Sequence, residues 1–546
     1  MPEASAPEAG ITRAGAAVGL LLLGQVAALA TDWPQYRGPT TDGISPDPIA
    51  VTWATNSPGF VVWTNNSLTN GFSCFAVSQG RAFTMISKDD GTGNLLEYCV
   101  AVDATTGAQI WATPVGAEPW DPRATGDGGA GTPPYWMGDG PRPTPSVSNG
   151  RVFVLSSGRD YPPELHLLCL NFTNGAVVWS SDLVAAYGAS TIAWDNAASA
   201  CLDNDLIFVN LNTANNGQNL AAFRTADGGL AWSAQDEGVT HTTPVIVAMY
   251  GVRQVLFATQ TGIVSLNRTN GAFLWKFTYP FSPISTSMGA SPVVYSNIMY
   301  CTASYGRGAA AARITLANGT WTVQQLWYQS GFNYRSIWMT PVCYQGYIYT
   351  LCGENSTFLT APLNCIELAT GNLKWSQPNF GMGGLILVNT NLLALTEDGQ
   401  LVLVQPNPSA YTELARCRAF QFSDSLPGKC WNNPAFSNGR IYARSTQGGI
   451  CLNVSVPARP PLELLSPQFL NSTQVQLVVG TADGTPIDSN RLPGIEVRAT
   501  DLLGISPSLW PKLTNPLVLD TSGLARMTNT IKPGQTRAVF ITVEPP

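Results

Sequence analysis

The sequence is poor in charge and in histidine. Asp, Glu, Lys and Arg make up 12% of its 546 residues, the formal net charge is -7, and only 2 histidines occur. Because no run of Lys or Arg is present, the chain offers no positive surface for a phosphate backbone, and we expect no nucleic-acid partner. The histidines, His166 and His241, belong to no Ser/His/Asp arrangement and to no H-E-x-x-H motif. These absences argue against triad hydrolases and zinc proteases.

Patterns typical of long helices are also scarce. The chain instead contains 52 Gly, 40 Pro and 16 Trp, and 45% of its residues are hydrophobic. This composition suits short strands joined by many turns better than long amphipathic helices. We therefore predict an all-β protein with a sizeable core.

One long apolar run lies at the N-terminus. Arg13 precedes AGAAVGLLLLGQVAALA, which ends in the small-residue pattern A-L-A before Thr31. This arrangement predicts a cleaved signal peptide over residues 1–30, with a membrane anchor as the alternative. We expect the mature chain to be exported to the periplasm, the cell surface or the extracellular space.

One ten-residue pattern recurs along the chain. Its copies are VDATTGAQIW, LNFTNGAVVW, FRTADGGLAW, LNRTNGAFLW and IELATGNLKW. In each copy a Trp follows a Gly by four positions, in the pairs Gly107/Trp111, Gly175/Trp179, Gly228/Trp232, Gly271/Trp275 and Gly371/Trp375. The Gly permits a turn with positive φ, and the Trp on the outgoing strand is large enough to fill the gap between neighbouring sheets. The pattern therefore predicts a structural repeat rather than a ligand site.

A second unit, of the form x-P-V-x-x-x-G followed by apolar residues, precedes these hairpins. Eight instances, among them TPSVSNGRVFVL and TPVCYQGYIYTL, predict eight four-stranded sheets. Repeats of about 40 to 50 residues are typical of propeller blades. Because the eighth set lacks an outer strand, we expect residues 51–63 to supply it and close the ring. The prediction is an eight-bladed β-propeller over residues 31–456.

The repeat AVDATTG…W resembles the tryptophan-docking repeat of pyrroloquinoline quinone (PQQ) dehydrogenases, which are eight-bladed propellers, and of PQQ-like propellers without that activity. WPQYRGPTTDG and GDGPRPTPSV are similar to segments of secreted PQQ-like repeat proteins of environmental bacteria. The resemblance covers residues 33–456 and implies the fold. It does not imply an activity, because one fold hosts many functions.

The composition of the sequence changes after the predicted propeller. Residues 457–467 are rich in proline and are interpreted as a linker. Residues 468–546 contain no cysteine and alternate in the manner of strands, which predicts a small C-terminal β-sandwich-like domain. We interpret this domain as a packing or tethering module.

The candidate ligand site lies at the mouth of the propeller, where connections enter the inner strands around the central channel. The predicted mouth residues are Arg142, Trp194, Asn196, His241, Asn333, Arg335 and Asn432. Their guanidinium groups, amides and aromatic rings suit a planar anionic cofactor or a sugar. Asp195 is the candidate catalytic base should the protein be an enzyme.

Several features that the resemblance implies for an enzyme are missing. PQQ alcohol dehydrogenases use a disulfide between adjacent cysteines and a Glu/Asn/Asp calcium cluster, whereas this chain has no Cys-Cys pair and no C-x-x-C-H haem motif. We predict no metal site, no cofactor, and an exported non-catalytic binding or scaffold protein for a protein or glycan partner. The alternative is a PQQ-dependent oxidoreductase that uses PQQ with Ca²⁺ and acts on alcohols or sugars.

The cysteines allow two interpretations. Eleven cysteines in an exported protein favour some disulfides, and Cys352 with Cys365, or Cys417 with Cys430, are candidate pairs. The alternative is that most are small buried side chains in strands.

Overall fold

The structure is a computed structural model of the chain. It describes residues 31–546 except 94, 118–139, 161–162, 193–195, 214–217, 284, 355–358, 423–427, 457–459, 501–509, 531–538 and 544–546. The predicted signal peptide, Trp194 and Asp195 lie outside the described residues. One compact unit is Ala30–Val456, and a second contains Pro457–Pro546.

Eight sheets make up the described part of the larger unit. Two strands precede them, β1 (Ile44–Ser45) and β2 (Val61–Asn65). Sheets 1 to 4 comprise β3 (Ala76–Ser78), β4 (Arg81–Asp89), β5 (Leu95–Asp103) and β6 (Gln109–Ala117); β7 (Ser146–Ser148), β8 (Arg151–Asp160), β9 (Pro163–Asn171) and β10 (Val177–Asp182); β11 (Cys201–Asp203), β12 (Leu206–Asn210), β13 (Leu220–Arg224) and β14 (Leu230–Ala234); and β15 (Val245–Met249), β16 (Val252–Ala258), β17 (Gly262–Asn267) and β18 (Phe273–Thr278).

Sheets 5 to 8 follow in the same manner. They comprise β19 (Val293–Tyr295), β20 (Ile298–Ala303), β21 (Gly308–Ala317) and β22 (Thr320–Gln329); β23 (Val342–Tyr344), β24 (Tyr347–Leu351), β25 (Leu363–Glu367) and β26 (Leu373–Gln377); β27 (Gly384–Val388), β28 (Asn391–Leu395), β29 (Gln400–Gln405) and β30 (Thr412–Arg418); and β31 (Ala435–Ser437), β32 (Arg440–Ser445) and β33 (Gly448–Asn453). A short helix, α1 (Leu183–Tyr187), follows β10, and 3₁₀ turns span Ser285–Ser287 and Phe332–Tyr334. The strand order confirms the β-propeller predicted from the repeats.

The recurring turn is built by its own side chain. Asp103 Oδ1 accepts the backbone N–H groups of Thr105 at 2.8 Å and Thr106 at 2.9 Å, and the N–H of Gly107 donates to the Asp103 carbonyl at 2.8 Å. Gly107 has a φ of 71°, which a residue with a side chain adopts only at a cost. The turn therefore forms from local chemistry alone.

Each repeat Trp docks onto the turn of the next sheet. The indole N–H of Trp111 donates to the Phe172 carbonyl at 3.0 Å, and a Cβ atom added to Gly175 would lie 2.7 Å from the Trp111 ring. Trp179 makes the corresponding bond to the Thr225 carbonyl at 3.2 Å. Equivalent indole bonds to backbone carbonyls are made by Trp63, Trp232, Trp327 and Trp375. The Gly and the Trp of the repeat thus join neighbouring sheets.

Trp275 is an exception to this docking. Its indole N–H donates to Gln254 Oε1 at 2.9 Å within its own sheet, and nothing lies within 4 Å of a Cβ atom added to Gly319 in the next sheet. In sheet 5 an insertion separates the turn at Gly319 from the repeat Trp, which is Trp327. The longer β21–β22 hairpin therefore explains the difference.

The ring is closed by a strand from the N-terminal part of the chain. β2 pairs antiparallel with β33, which gives sheet 8 its fourth strand, as the sequence predicts. Hydrogen bonds at the mouth also link successive sheets: Cys74 N–H donates to Thr144 Oγ1 at 3.0 Å, and Thr144 N–H donates to Ser199 Oγ at 2.9 Å. Between sheets 8 and 1, Asn433 N–H donates to Cys74 Sγ at 3.3 Å.

Residues 33–45, called here the channel segment, lie against the free edges of the inner strands. Trp33 and Val77 of sheet 1 exchange two backbone hydrogen bonds, at 2.8 and 2.7 Å. The Pro34 carbonyl accepts an N–H of sheet 2 at 2.8 Å, and the Gly43 carbonyl accepts an N–H of sheet 7 at 2.8 Å. Since these edges face the axis of the ring, the segment runs inside the central channel.

Side chains of the channel segment make equivalent bonds to other sheets. The Gln35 amide donates to the Leu202 carbonyl at 3.0 Å and accepts the Leu202 N–H at 2.9 Å. The Thr41 hydroxyl accepts the Ile246 N–H at 3.0 Å. Arg37 donates to two backbone carbonyls immediately before β23, at 3.2 and 2.6 Å. The segment therefore bonds to sheets 1 to 4, 6 and 7.

The smaller unit is a β-sandwich-like domain. Its strands are β34 (Leu462–Leu464), β35 (Gln468–Asn471), β36 (Gln474–Thr481), β37 (Glu496–Thr500), β38 (Val518–Leu519), β39 (Ala525–Thr530) and β40 (Val539–Val543). β37 and β40 form one sheet and the other strands form the second. Leu477, Val479 and Met527 of one sheet pack in a common core with Val497 of the other.

The expectation of disulfides is wrong. All eleven cysteines are buried free thiols. In the register of β24 and β25, Cys365 lies opposite Tyr349 and not opposite Cys352, and Cys417 lies opposite Leu401. The proposed partners therefore do not face each other, and the cysteines serve as small core side chains.

Candidate functional site at the channel mouth

The residues that precede the inner strands of sheets 1 and 8 form an aromatic cluster with Trp338. Phe72 stacks on Trp431 with ring centroids 5.2 Å apart and an interplanar angle of 25°. The ring centroids of Trp338 and Trp431 are 4.6 Å apart. We call these three residues the mouth aromatic cluster. Phe72 is buried, whereas both tryptophans are half-buried and so retain surface for a ligand.

Two cations lie over the mouth aromatic cluster. The guanidinium carbon of Arg142 is 5.9 Å from the Phe72 ring centroid, and Lys429 Nζ is 3.8 Å from that of Trp431. Such cation–π contacts hold a charged group at an aromatic face. The structure therefore brings together Arg142 and the residues around Asn432, which the sequence placed in the same site.

Asn432, next to Trp431 in the chain, carries an unused amide. It is 5% exposed, and neither Nδ2 nor Oδ1 has a hydrogen-bond partner among the described residues. A buried amide without partners costs roughly 1–3 kcal/mol. The side chain can form two donor contacts and at least one acceptor contact with a ligand.

The carboxylates on the mouth side are bound by protein donors. Glu397, which is 4% exposed, accepts the Trp431 indole N–H at 2.7 Å and two backbone N–H groups at 2.7 and 3.0 Å. Glu354 pairs with Arg335 at 3.1 Å, and Glu237 pairs with Lys276. These carboxylates therefore fix loops and the cluster Trp in place.

The remaining predicted residues are held by local contacts. The Asn196 side chain bonds to the backbone of Ala198 at 3.0 and 3.1 Å in a tight turn. The Asn333 carbonyl accepts the Cys352 thiol at 2.9 Å, and Arg335 donates to the Ser330 carbonyl as well as to Glu354. His241 is half-buried, and its backbone N–H donates to the Met288 carbonyl at 3.0 Å.

Sequence reasoning missed Trp338, Glu397 and Lys429. Glu397 lies between the second and third strands of sheet 7, whereas the prediction considered only connections that enter inner strands. Connections that enter inner strands and hairpin loops between second and third strands lie on the same face of a propeller. An acidic residue in such a hairpin loop could therefore have pointed to Glu397.

Burial, together with the nearby carboxylates of Asp398 and Glu397, raises the pKa of the Cys430 thiol well above its usual value. That thiol stays protonated and is not a nucleophile.

The described residues do not supply a calcium site. No group of three His, Cys, Asp or Glu side chains converges within the described ranges. Calcium takes about six to eight oxygen ligands, and the mouth-side carboxylates found here are already engaged. The mouth aromatic cluster and its two cations suit a planar anion such as PQQ. The described carboxylates at the mouth do not provide the set of oxygen ligands that Ca²⁺ needs.

Comparisons with known proteins place the fold. Residues 96–338 match the family model described as outer membrane protein assembly factor BamB. The chain is similar in structure to the quinohemoprotein alcohol dehydrogenase ADHIIG from Pseudomonas putida HK5, with a TM-score of 0.50, 12% identity, and coverage of 81% of this chain and 83% of that chain. It is also similar to the quinohemoprotein alcohol dehydrogenase from Comamonas testosteroni, with a TM-score of 0.42, 14% identity, and coverage of 85% and 84%.

At this level of identity the structural likeness shows the fold alone. No curated protein gives a significant match to the sequence. The repeat, the sheet order and the family model matched by residues 96–338 are consistent with a PQQ-like β-propeller. No helix in the described part of the chain is long and apolar enough to cross a membrane.

Proposed function

We propose that the protein is an exported, non-catalytic binding propeller whose mouth holds a protein or glycan partner. The observation that carries the proposal is the mouth aromatic cluster beside the buried, unpaired amide of Asn432. Half-buried tryptophans give large contact area at low entropic cost, and a buried amide gains when a partner supplies its missing hydrogen bonds. Aromatic rings combined with amides suit the apolar faces and hydroxyl groups of sugars as well as peptide groups.

The engaged carboxylates favour binding over acid–base chemistry. A general base must be free to accept a proton, whereas Glu397 and Glu354 each already accept hydrogen bonds from protein donors. The family model that matches residues 96–338 is named for an assembly factor, which also agrees with a binding role. The engaged carboxylates support the scaffold interpretation over a hydrolytic one, whereas the fold similarity to known structures agrees better with the redox alternative.

Export is part of the proposal. Thr31 would become the first residue after cleavage of residues 1–30, and its backbone nitrogen lies 2.8 and 3.1 Å from the two carboxylate oxygens of Asp47. A new α-ammonium group at this position would face that carboxylate. Mass spectrometry of the mature protein should find Thr31 at the N-terminus; an intact N-terminus in the secreted or membrane fraction would contradict the proposal.

A PQQ-dependent oxidoreductase acting on alcohols or sugars is the second candidate. Its support is the similarity in fold to a quinohemoprotein alcohol dehydrogenase, and the cations Arg142 and Lys429 over aromatic rings at the mouth. When bound, PQQ would supply an electron acceptor, and the described mouth residues would contribute ring contacts and positive charge. Asp195 remains the candidate base for this alternative.

Two measurements separate the candidates. The first titrates the purified protein with PQQ and Ca²⁺ and then assays dye reduction with alcohols and sugars; we expect neither saturable binding nor turnover. Saturable PQQ binding that is lost in Arg142→Ala or Arg335→Ala, together with dye reduction, would reverse the ranking.

The second measurement identifies the partner. Oligosaccharides are titrated by calorimetry, and exported proteins are captured by cross-linking, with wild type, Trp431→Ala and Trp321→Ala compared. Trp321 packs edge-on against Tyr250 away from the mouth and serves as the matched control. We expect Trp431→Ala to weaken binding at least ~10-fold, which is about 1.4 kcal/mol. Equal binding by both variants would contradict a mouth site.

A further inference from the structure

The inner strand of sheet 5 has backbone groups that point into the channel. Tyr295 and Ile298 close the β19–β20 hairpin, so Val294 lies opposite Met299 in the next pair. Because hydrogen-bonded and non-bonded pairs alternate in an antiparallel ladder, the N–H and C=O of Val294 point away from β20. They face the central channel.

The channel segment satisfies the corresponding groups in other sheets. Val77, Leu202 and Ile246 occupy the same place in sheets 1, 3 and 4, and each bonds to the segment. The partner is a backbone peptide group at Val77, a carboxamide at Leu202 and a hydroxyl at Ile246. Three different groups of this chain thus meet one requirement, an acceptor for the N–H and a donor for the C=O.

No residue of the fully described channel segment bonds to Val294, or to Cys343 and Phe436, which hold the equivalent hairpin position in sheets 6 and 8. Of these three residues, Val294 is the one that lines a cavity. The cavity has a volume of about 370 Å³ and lies between the segment and sheets 3 to 5. It is lined by Pro39, Thr40, Val247, Pro292, Val293 and Val294, among others. Ligand sites have volumes of about 300–1,000 Å³, so the space suits a small group or a few residues of an extended chain.

The charged groups that line the cavity are all held by protein partners. Arg253 binds Asp203 through two hydrogen bonds of 2.7 Å, and Asp42 accepts the Thr40 hydroxyl at 2.7 Å and the Ile44 N–H at 3.0 Å. Arg37 donates to the backbone carbonyls of Asp42 and Pro341, each at 2.6 Å, and is attracted by the Asp42 carboxylate. A charged ligand would have to lose its hydration without gaining a free counter-ion. An uncharged ligand with apolar side chains fits the valine and proline walls.

We propose that this cavity binds a short, extended, uncharged peptide segment of a partner protein, which pairs with Val294 as Trp33 pairs with Val77. The peptide N–H donates to the Val294 carbonyl and its C=O accepts the Val294 N–H, so a strand is added at the inner edge of sheet 5. This site lies apart from the mouth. The mouth is formed where the chain enters each inner strand, whereas the channel segment bonds to Val77, Leu202 and Ile246 further along those strands.

The test uses the full chain and two small probes. N-acetylvaline N-methylamide carries one N–H and one C=O on the same edge, and its analogue methylated at the valine nitrogen lacks that N–H donor. Saturation-transfer NMR should detect binding of the first probe, with a signal several-fold weaker for the second. Equal signals for both probes, or no signal for either, would overturn the proposal.

Variants locate the site. Ser296→Trp should fill the cavity and abolish the signal, and Ala248→Trp does the same from β15 should the first variant fold poorly. Gln345→Trp is the matched control, since Gln345 holds the same turn position in sheet 6 with a φ of 50°, against 56° for Ser296. Loss of signal in the control as well would contradict the assignment. Trp431→Ala at the mouth should leave the signal unchanged, which keeps this test separate from that of the proposed function.

Discussion

Arg444 offers the sharpest test of how the ring is closed. Its side chain is 1% exposed, and burial lowers the pKa of the guanidinium to about 9, so the group is still charged at neutral pH. Within the described ranges, no carboxylate contacts it. Its donors bind, at 2.5 to 3.3 Å, the backbone carbonyls of Leu68, Thr69, Asn70, Ser73 and Met85 and the hydroxyl of Thr84.

Arg444→Met keeps most of the volume and removes every donor. Hydrogen bonds to a charged group contribute about 1.5–3 kcal/mol each, and burial of an ion costs several kcal/mol, so the balance of six bonds is clearly favourable. Relaxation and water entry recover part of the loss. We expect the free energy of unfolding to fall by about 3–5 kcal/mol, because the acceptors lose their donor and a buried acceptor left unsatisfied costs about 1–3 kcal/mol.

Denaturant unfolding followed by tryptophan fluorescence measures this loss, because all tryptophans except Trp510 belong to the unit Ala30–Val456. The control is Arg418→Met, which removes a surface ion pair with Asp398 in sheet 7. That change should cost less than about 1 kcal/mol. An unfolding midpoint unchanged in Arg444→Met, or lowered equally in both variants, would refute the reasoning.

Three further predictions concern the repeat turns and the thiols. Gly228→Ala should lower the free energy of unfolding by about 1–3 kcal/mol more than Gly150→Ala, because both glycines have φ near 70° but only the first would place its Cβ against a docked Trp, at 2.7 Å. Hydrogen bonds from the Thr105 hydroxyl and from two backbone N–H groups lower the pKa of Asp103. The stabilisation by the ionised carboxylate is present above an unfolded pKa of about 3.9 and is lost as the pH falls through the folded value. Asp103→Asn should therefore lower the free energy of unfolding at neutral pH and change it little below the folded pKa; an equal loss at both pH values would contradict this. Thiol titration without reductant should find no reactive cysteine in the native protein and 11 after unfolding; a smaller number would reveal disulfides.

The sheets were predictable because their signals are local. A Gly with positive φ, an Asx side chain that binds its own turn, and a Trp at fixed spacing act within ten residues, so sequence alone carries them. The same locality explains why the ring-closing β2 could be found, since VVW repeats the outgoing-strand pattern. Disulfides depend on which strand edges face each other, and no local pattern reports that.

The path of the channel segment could not be read from the sequence. Trp33 and Arg37 lie in a stretch without period 2 or 3.6, and an arginine is expected on the surface unless it is paired. The partners of Arg37 are carbonyls of sheet 6, more than three hundred residues away in sequence. The mouth was predictable only in part for the same reason, because Glu397 reaches Trp431 from a hairpin loop of another sheet.

Arg37 and Arg444 show why a chain with few charges buries guanidinium groups. Both lie where irregular backbone brings several carbonyls together and no strand is available to supply N–H donors. A guanidinium offers five donors in a fixed fork and loses its water more readily than an ammonium group, so it serves such places better than lysine would. Arg37 binds the channel segment to sheet 6, and Arg444 binds the connection between β2 and β3 to sheet 8. The N-terminal stretch is thus held to the ring by two buried cations as well as by β2. Arg37 holds its channel segment, and Arg444 holds its connection to β3.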